Sequence, residues 1–551
     1  MNYDINVAAR LSSMAESRPD QVAIAMPKGR SAHGQRAYDT ITFAELEADT
    51  NRIASGLQAA GAQSGMRLIL LVRPSIDFIA LVFALLKAGV VMVLIDPGMG
   101  RKNLLRCLSD TQPDGFVGIP MAQIVRTLFR KRFPNARFNV TVGRRLFWGG
   151  FTLDQIRKRG TENAFCHQAQ GRDPAAIIFT TGSTGPPKGV LYCHRNFDQQ
   201  VVRIRDQYGI KPGEVDVPGF PLFGLFNAAM GVTTVIPDMD FTRPAEVDPR
   251  NIVEAVTDWS ATQSFGSPAL WNVVGKHCEE NQIRLPSLRR VLSAGAPVPP
   301  HVLQRMTDCI ADGGEMHTPY GATEALPVAS ISASEVLGET AVLSARGAGT
   351  CIGPRFDGIR WKVIQISDEP IADISAAVEL PRGEIGEIIV QGPVVTSQYV
   401  TQTEANALHK IVDGSEFWHR MGDVGYFDEQ DRFWFCGRKS HRVVTPEGPM
   451  FTVPCEAIFN QHKAVARSAL VGVGNEASQT PVILIELEDA GTSREKRSAL
   501  KAELLELAAQ NERTESIREL LFHPKFPVDI RHNAKIFREK LAVWAAERLG
   551  R

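Results

Sequence analysis

Ala175-Ala176-Ile177-Ile178-Phe179 runs directly into Thr180-Thr181-Gly182-Ser183-Thr184-Gly185-Pro186-Pro187-Lys188-Gly189, and the reading of this stretch decides the fold. The five apolar residues predict a buried strand. The ten that follow hold four hydroxyl side chains, three glycines and one lysine. A loop of that composition can fold its N–H groups and hydroxyls around a polyphosphate, with the lysine neutralising charge. The Walker spacing Gly-x-x-x-x-Gly-Lys-Ser/Thr is absent. Taken alone, the loop leaves open the reading of a plain tight turn after a strand.

Working outward, apolar strand-like runs alternate with helix-like ones through the first half of the chain. Leu68–Val72 predicts a strand, Ile76–Ala88 a helix, and Val90–Ile95 a strand closed by Asp96-Pro97-Gly98. Val291–Ser293 ends in the turn Ala294-Gly295-Ala296-Pro297-Val298-Pro299-Pro300 before a helix at His301–Ile310. This alternation predicts βαβ units and a largely parallel sheet. Near residue 380 the texture changes. Gly383–Val390, Gly425–Asp428 and Phe433–Cys436 predict antiparallel strands around turns. From about Lys439 the chain has strands at Ser468–Val473 and Val482–Leu487 and a helix at Arg494–Asn511, enough for a small α+β domain. The expectation is an α/β protein. It has a large N-terminal domain (1–438) of layered α/β subdomains with a β-rich subdomain, and a small α+β C-terminal domain (439–551).

A chain of 551 residues exceeds one ordinary core. Lysine plus arginine and aspartate plus glutamate balance at 61 each, so no global field points to nucleic acid. The eight cysteines form no close Cys-x-x-Cys pair, which speaks against a zinc site. Their scatter fits reduced thiols in a cytoplasmic protein. The N-terminus lacks a basic start followed by an apolar run, so no signal peptide is expected. Arg73, Asp77 and Lys87 interrupt the greasiest stretch, Leu68–Asp96, and argue against a membrane span. Arg126, Arg130, Lys131, Arg132, Arg137, Arg144 and Arg145 interleave with Phe129, Phe133, Phe138, Phe147 and Trp148. That pattern fits either a solvated face over buried aromatics or a docking patch for a membrane surface or partner protein.

Three further segments carry chemistry. Tyr320-Gly321-Ala322-Thr323-Glu324 puts a ring that can stack on a purine beside a carboxylate that can hold Mg²⁺. Asp423, ending Met421-Gly422-Asp423, can accept both hydroxyls of a ribose. Arg438, in Gly437-Arg438-Lys439, offers a guanidinium fork to ribose or phosphate. Singly, Glu324 reads as a helix N-terminal charge, Asp423 as a turn former and Arg438 as a surface cation.

Together and in this order, these segments resemble the adenylate-forming superfamily of acyl-CoA synthetases, luciferases and peptide-synthetase adenylation domains. Ile41-Thr42-Phe43-Ala44-Glu45-Leu46 and Leu86-Lys87-Ala88-Gly89 through Asp96-Pro97 match as well, so the resemblance covers essentially the whole chain. It implies ATP and Mg²⁺ as cofactors. Thr181, Ser183, Thr184 and Lys188 would belong to the triphosphate loop. Gly295, Ala296 and Pro297 would line the adenine pocket with Tyr320, Gly321 and Thr323. Thr184 and Glu324 would serve the metal and catalysis, and Asp423 and Arg438 the ribose and phosphate. The catalytic lysine would be Lys535, in Asn533-Ala534-Lys535-Ile536. The resemblance also implies a hinge near Lys439–Ser440, which would make the small α+β C-terminal domain mobile. The implied reaction is attack of a carboxylate on the α-phosphorus of ATP, giving acyl-AMP and pyrophosphate.

Two departures narrow the resemblance. Many acyl-CoA synthetases have a histidine where Phe220–Phe226 has Gly224, and the usual glycine before the lysine is here Ala534. Val142–Leu146, Ile236–Asp240, Phe265–Leu270, Ser293–Pro300 and Phe526–Lys540 resemble the β-lactone synthetases of bacterial long-chain olefin biosynthesis. That subgroup implies a long-chain 2-alkyl-3-hydroxy acid whose own β-hydroxyl displaces AMP. It also implies sister enzymes of a multi-enzyme pathway or a peripheral membrane contact as partners. Phe223, Leu225 and Phe226 are candidates either to line a pocket for two alkyl chains or simply to fill the core. His194 is a weak candidate base, since a lone histidine there is more often structural. A long-chain acyl-CoA or acyl-AMP ligase is the alternative enzyme, and a non-catalytic scaffold the alternative from another class.

Overall fold

The computed structural model describes residues 5–96, 99–180, 186–220, 222–489, 491, 493–528 and 536–550, without the side chains of Arg101 and Lys102. Within it, two large sheets are built from the predicted βαβ alternation.

The first has seven strands in the order Phe151–Thr152, Phe138–Thr141, Gly115–Gly118, Arg67–Leu71, Val91–Leu94, Pro174–Phe179 and Gly189–Cys193. All neighbours are parallel except the last pair, which forms the hairpin that carries the opening loop. Side chains alternate between the two faces, as the strand period of two demands. Leu68, Leu70, Met92 and Leu94 enter the main core, whereas Ile69, Val91 and Val93 pack beneath with Leu108 and Phe116.

The second sheet has eight strands in the order Ala325–Ser332, Glu315–Ala322, Arg290–Ser293, Gln263–Gly266, Val215–Asp216, Thr233–Val235, Val22–Arg30 and Arg36–Thr42. It is antiparallel only at its two ends.

The helix Ile76–Lys87 is apolar on every side and touches strands of both sheets, so it forms the middle layer. The charge at its end, Lys87, is fully buried. It is paired to Glu47 at 2.7 Å and donates to Asn51 at 2.6 Å. This lysine, which in sequence breaks an apolar run, is therefore an interior strut rather than a surface residue. The helix Phe43–Ala59 that supplies Glu47 and Asn51 opens with the reciprocal cap of Thr42 and Glu45.

A third, antiparallel sheet contains Thr350–Cys351, Phe433–Arg438, Glu416–Phe427, Gly386–Gln391 and Arg360–Ile364, with Lys410–Asp413 joined to Glu416–Phe427. Beyond it, the hairpin Val465–Asn475 and Ser478–Leu487 with Glu519–Phe522 forms a three-stranded sheet covered on both faces. Leu470, Ile483 and Ile485 pack on the helix Arg494–Ala509, and Ala469, Val471, Val482 and Leu484 on the helix Arg538–Leu549. Both of these clusters draw only on residues from Val443 onward. Among the described residues no helix is long and apolar enough to cross a membrane.

Candidate functional site

Because the strand Pro174–Phe179 turns back as Gly189–Cys193, the two ends of the hydroxyl-rich loop are clamped together. Thr180 donates its N–H to the Lys188 carbonyl at 3.0 Å, and the Lys188 N–H donates to Thr180 Oγ1 at 3.0 Å. Thr181, Ser183 and Thr184 lie outside the described residues, as does Lys535. The base of the loop presents Lys188, whose Nζ lies 3.1 Å from His409 Nε2 and 5.0 Å from the centre of the Tyr399 ring. Burial pulls the pKa of Lys188 down, and Arg438 adds to that, while Glu324 opposes it.

Glu324 sits in the tight turn joining Glu315–Ala322 to Ala325–Ser332, not at a helix N-terminus as its sequence context suggested. Its Oε1 accepts from Tyr399 Oη at 2.6 Å, and its carbonyl accepts from the N–H and hydroxyl of Thr396 at 2.9 Å each. The neighbouring Thr323 carbonyl accepts from Tyr192 Oη at 2.6 Å. Three side chains from two segments, Gly189–Cys193 and residues 396–399, thus fix one turn. Gly321 is required there, because a Cβ would stand 2.8 Å from the Ala325 carbonyl oxygen and 2.8 Å from Leu326 Cβ.

Tyr320 precedes that turn, and its hydroxyl donates to Asp423 Oδ2. Asp423 and Arg438 face each other across the antiparallel pair Glu416–Phe427 and Phe433–Arg438, and an ion pair of 2.9 Å joins them. The two residues read singly as a turn former and a surface cation are register partners, and Asp423 is 3% exposed. Arg438 also donates to the Met421 carbonyl at 3.3 Å. Burial first, then Asp423, raises the Tyr320 phenol pKa well above its ordinary value. Asp423 in turn raises that of Arg438.

Gly295, Ala296 and Pro297 follow Arg290–Ser293, which lies parallel to Glu315–Ala322 with Leu292 opposite His317. Tyr320 lies three residues beyond His317, still within its strand, and Gly295 three beyond Leu292, just past the end of its own. Gly295 turns there at φ 98°, a value that suits glycine.

Two residues singled out in the sequence stand apart from this centre. His194 is buried, and its Nδ1 accepts from the Val7 N–H at 3.3 Å, so it serves the N-terminal segment. Gly224 opens no space for a side chain. It lies in the helix Phe223–Met230, where a Cβ would meet Ile79 Cδ1 at 3.2 Å and Thr234 Cγ2 at 3.3 Å. Both neighbours also wall a small apolar cavity with Phe78, Pro218, Ile236 and Phe241. Phe223 stacks on Phe265 at 3.5 Å, and Leu225 and Phe226 are half-buried against the main core. Sequence reading missed Tyr192, Thr396, Tyr399, His409 and Lys410. None sits in a composition that marks a site, and only the closing of the third sheet against the loop hairpin brings them in.

The profile of AMP-binding enzymes matches residues 11–400, well over half of the chain. The chain belongs to the AMP-binding enzyme family. This AMP-binding enzyme is 47% identical to an olefin beta-lactone synthetase of Stenotrophomonas maltophilia (strain K279a), with 100% of this chain and 99% of the relative aligned. It is also 47% identical to one of Xanthomonas campestris pv. campestris, with 98% of each covered. Among solved structures, ATP-bound MatB from Rhodopseudomonas palustris superposes with a TM-score of 0.76 at 20% identity and 100% coverage of both chains, a likeness of fold.

Proposed function

We propose that this AMP-binding enzyme is an olefin β-lactone synthetase. It would convert a long-chain 2-alkyl-3-hydroxy acid to a β-lactone through an acyl-AMP. The observation that carries the reading is 47% identity, end to end, to two enzymes of that name. The acid's carboxylate oxygen attacks the α-phosphorus of ATP, and pyrophosphate leaves. The β-hydroxyl oxygen then attacks the acyl carbon. The bond from that carbon to the phosphate oxygen breaks, AMP departs and the hydroxyl gives up its proton. Nucleophile and electrophile share one molecule, so the ring closes without the entropy cost of a second substrate.

We assign the ribose to Asp423 and Arg438, the adenine to Tyr320 and the turn Gly295, Ala296 and Pro297, with Gly321 and Thr323 shaping its edge. Thr181, Ser183, Thr184 and Lys188 take the triphosphate. Lys535 is assigned to the point where carboxylate and α-phosphate crowd negative charge. The donor set suits Mg²⁺. No group of three or more acidic, histidine or cysteine side chains gathers among the described residues, and Glu324, whose charge acts on Lys188, offers a carboxylate. Mg²⁺ is commonly held by one or two carboxylates together with substrate phosphates. When bound, it would neutralise charge on the leaving pyrophosphate.

We place the domain boundary at 438/439, where Lys439 Nζ holds Glu387 at 3.1 Å and donates to the Ser367 carbonyl at 2.8 Å. The protein is proposed to work in the cytoplasm. Its partners there are the sister enzymes of an olefin pathway or a membrane surface met through residues 126–148.

The test is incubation with ATP, Mg²⁺ and a 2-alkyl-3-hydroxy acid in the absence of CoA. A product lighter than the acid by one water is expected. Turnover only on addition of CoA would make the protein an acyl-CoA ligase instead. Lys535→Ala is expected to abolish pyrophosphate release, and an unaffected variant would remove Lys535 from the mechanism.

A further inference from the structure

Lys188 has a partner that no assignment above uses. Its ammonium lies 3.1 Å from His409 Nε2. An ammonium has only protons to offer, so Nε2 accepts and the ring proton is on Nδ1, which faces the Arg420 carbonyl at 3.4 Å. That contact selects the tautomer. Burial, reinforced by Lys188, brings the His409 pKa down to about 4, so the ring is neutral at physiological pH. Its position is fixed on two further sides, by the Tyr399 edge at 5.7 Å and by His419 at 6.1 Å. His419 Nδ1 in turn meets the His409 carbonyl at 3.2 Å.

The surrounding charges are otherwise engaged. Glu324 is held by Tyr399, Arg438 by Asp423, and Lys410 donates to the Thr396 carbonyl while lying over the Tyr399 ring. The phosphate-loop lysine is thus seated on a neutral acceptor and an aromatic face. A carboxylate in place of His409 would hold the ammonium as firmly, but its charge would cancel the field that a phosphate needs, and the pair would have to break when the phosphate arrived. An imidazole orients the lysine and leaves its full charge available. That is preorganisation of a cation for an anionic ligand.

We propose that His409 is a positioning residue for ATP: its neutral ring seats the Lys188 ammonium beside the triphosphate loop. The inference rests on the assignment of Lys188 to the triphosphate and is independent of lactone closure.

The test compares His409→Phe, which fills the space without an acceptor, with His409→Gln, whose Oε1 can accept from an ammonium. The readouts are pyrophosphate release, calorimetric binding of MgATP and thermal melting. We expect His409→Phe to raise the KM and Kd for ATP about tenfold, with the KM for the acid and Tm held. His409→Gln is expected to return most of the loss, and Lys188→Ala added to His409→Phe to cost little more than Lys188→Ala alone. Equal ATP affinity in all three proteins would overturn the proposal. So would a parallel rise in the KM of both substrates that glutamine does not rescue. If Lys188→Ala itself leaves ATP binding intact, the assignment of the lysine fails rather than the role of its seat.

Discussion

At the scale of single residues, His194 shows how a buried polar group is tuned by what it must accept. Its Nδ1 takes the Val7 N–H, which only a neutral ring can do, and burial pushes its pKa down from 6.5 to about 4. Between those values the unfolded chain binds a proton that the folded chain does not. Folding stability is therefore unaffected by His194 above pH 6.5, falls as pH drops through that window, and levels off below about 4. Asparagine offers an acceptor oxygen near the Nδ1 position and does not titrate. In urea melts at pH 7 and pH 5, wild type is expected to lose about 2 kcal/mol more than His194→Asn over that step. Identical losses would mean that His194 is protonated in the folded protein. A second residue-scale prediction concerns Tyr320. Phenylalanine keeps the ring but removes the donor to Asp423. Tyr320→Phe is expected to weaken ATP binding by about 1 kcal/mol, the usual net scale of one hydrogen bond, without altering the KM of the acid.

At the scale of elements, the helix Phe223–Met230 explains a departure that sequence could only register. Gly224 stands where the helix presses on Ile79 and Thr234, with both at 3.2–3.3 Å from the place a Cβ would take. Gly224→His would have to push aside the side chains of Ile79, on the middle-layer helix, and Thr234, on the strand Thr233–Val235. A cost of about 1–3 kcal/mol is expected, read as a lower Tm, together with loss of turnover on the longest-chain acids first. Unchanged Tm and a gain of activity with CoA would instead mark the position as an acceptor-selecting gate.

The same elements show what was legible beforehand. The strands Arg67–Leu71, Val91–Leu94 and Pro174–Phe179 and the helix Ile76–Lys87 lie within two residues of the expected bounds, because continuous apolar runs between turn signals are read directly. The Asp423–Arg438 pairing was not legible. Two residues fifteen apart become neighbours only once the hairpin register is set, and sequence does not number a register. His409 and Tyr399 were invisible for a related reason, since their partners Lys188 and Glu324 are 221 and 75 residues away.

At the scale of the whole molecule, charge is balanced overall but not locally. Residues 115–153 contain seven arginines and lysines and no aspartate or glutamate. The interleaved aromatics divide between the two readings of this stretch. Phe133, Phe138 and Trp148 are buried, whereas Phe147 is 78% exposed and Phe129 40%. Leu146, Leu128 and Met121 are exposed as well. Met121 follows the end of the strand Gly115–Gly118, and Leu146 and Phe147 follow Phe138–Thr141, whose Thr141 pairs with Gly118. Both therefore emerge at the C-terminal edge of the seven-stranded sheet, the edge at which Pro174–Phe179 runs into the hydroxyl-rich loop. Three strand spacings separate Gly115–Gly118 from Pro174–Phe179, about 14 Å. Exposed apolar side chains rimmed by cations suit an anionic bilayer surface, which is also where an acid with two long chains would reside. Co-sedimentation with phosphatidylglycerol vesicles at low salt is expected, with release on raising salt and little binding to phosphatidylcholine. Leu146→Ser with Phe147→Ser should weaken binding at all salt concentrations, whereas Arg144→Gln with Arg145→Gln should weaken it mainly at low salt. Binding indifferent to both pairs would leave this edge to a sister enzyme.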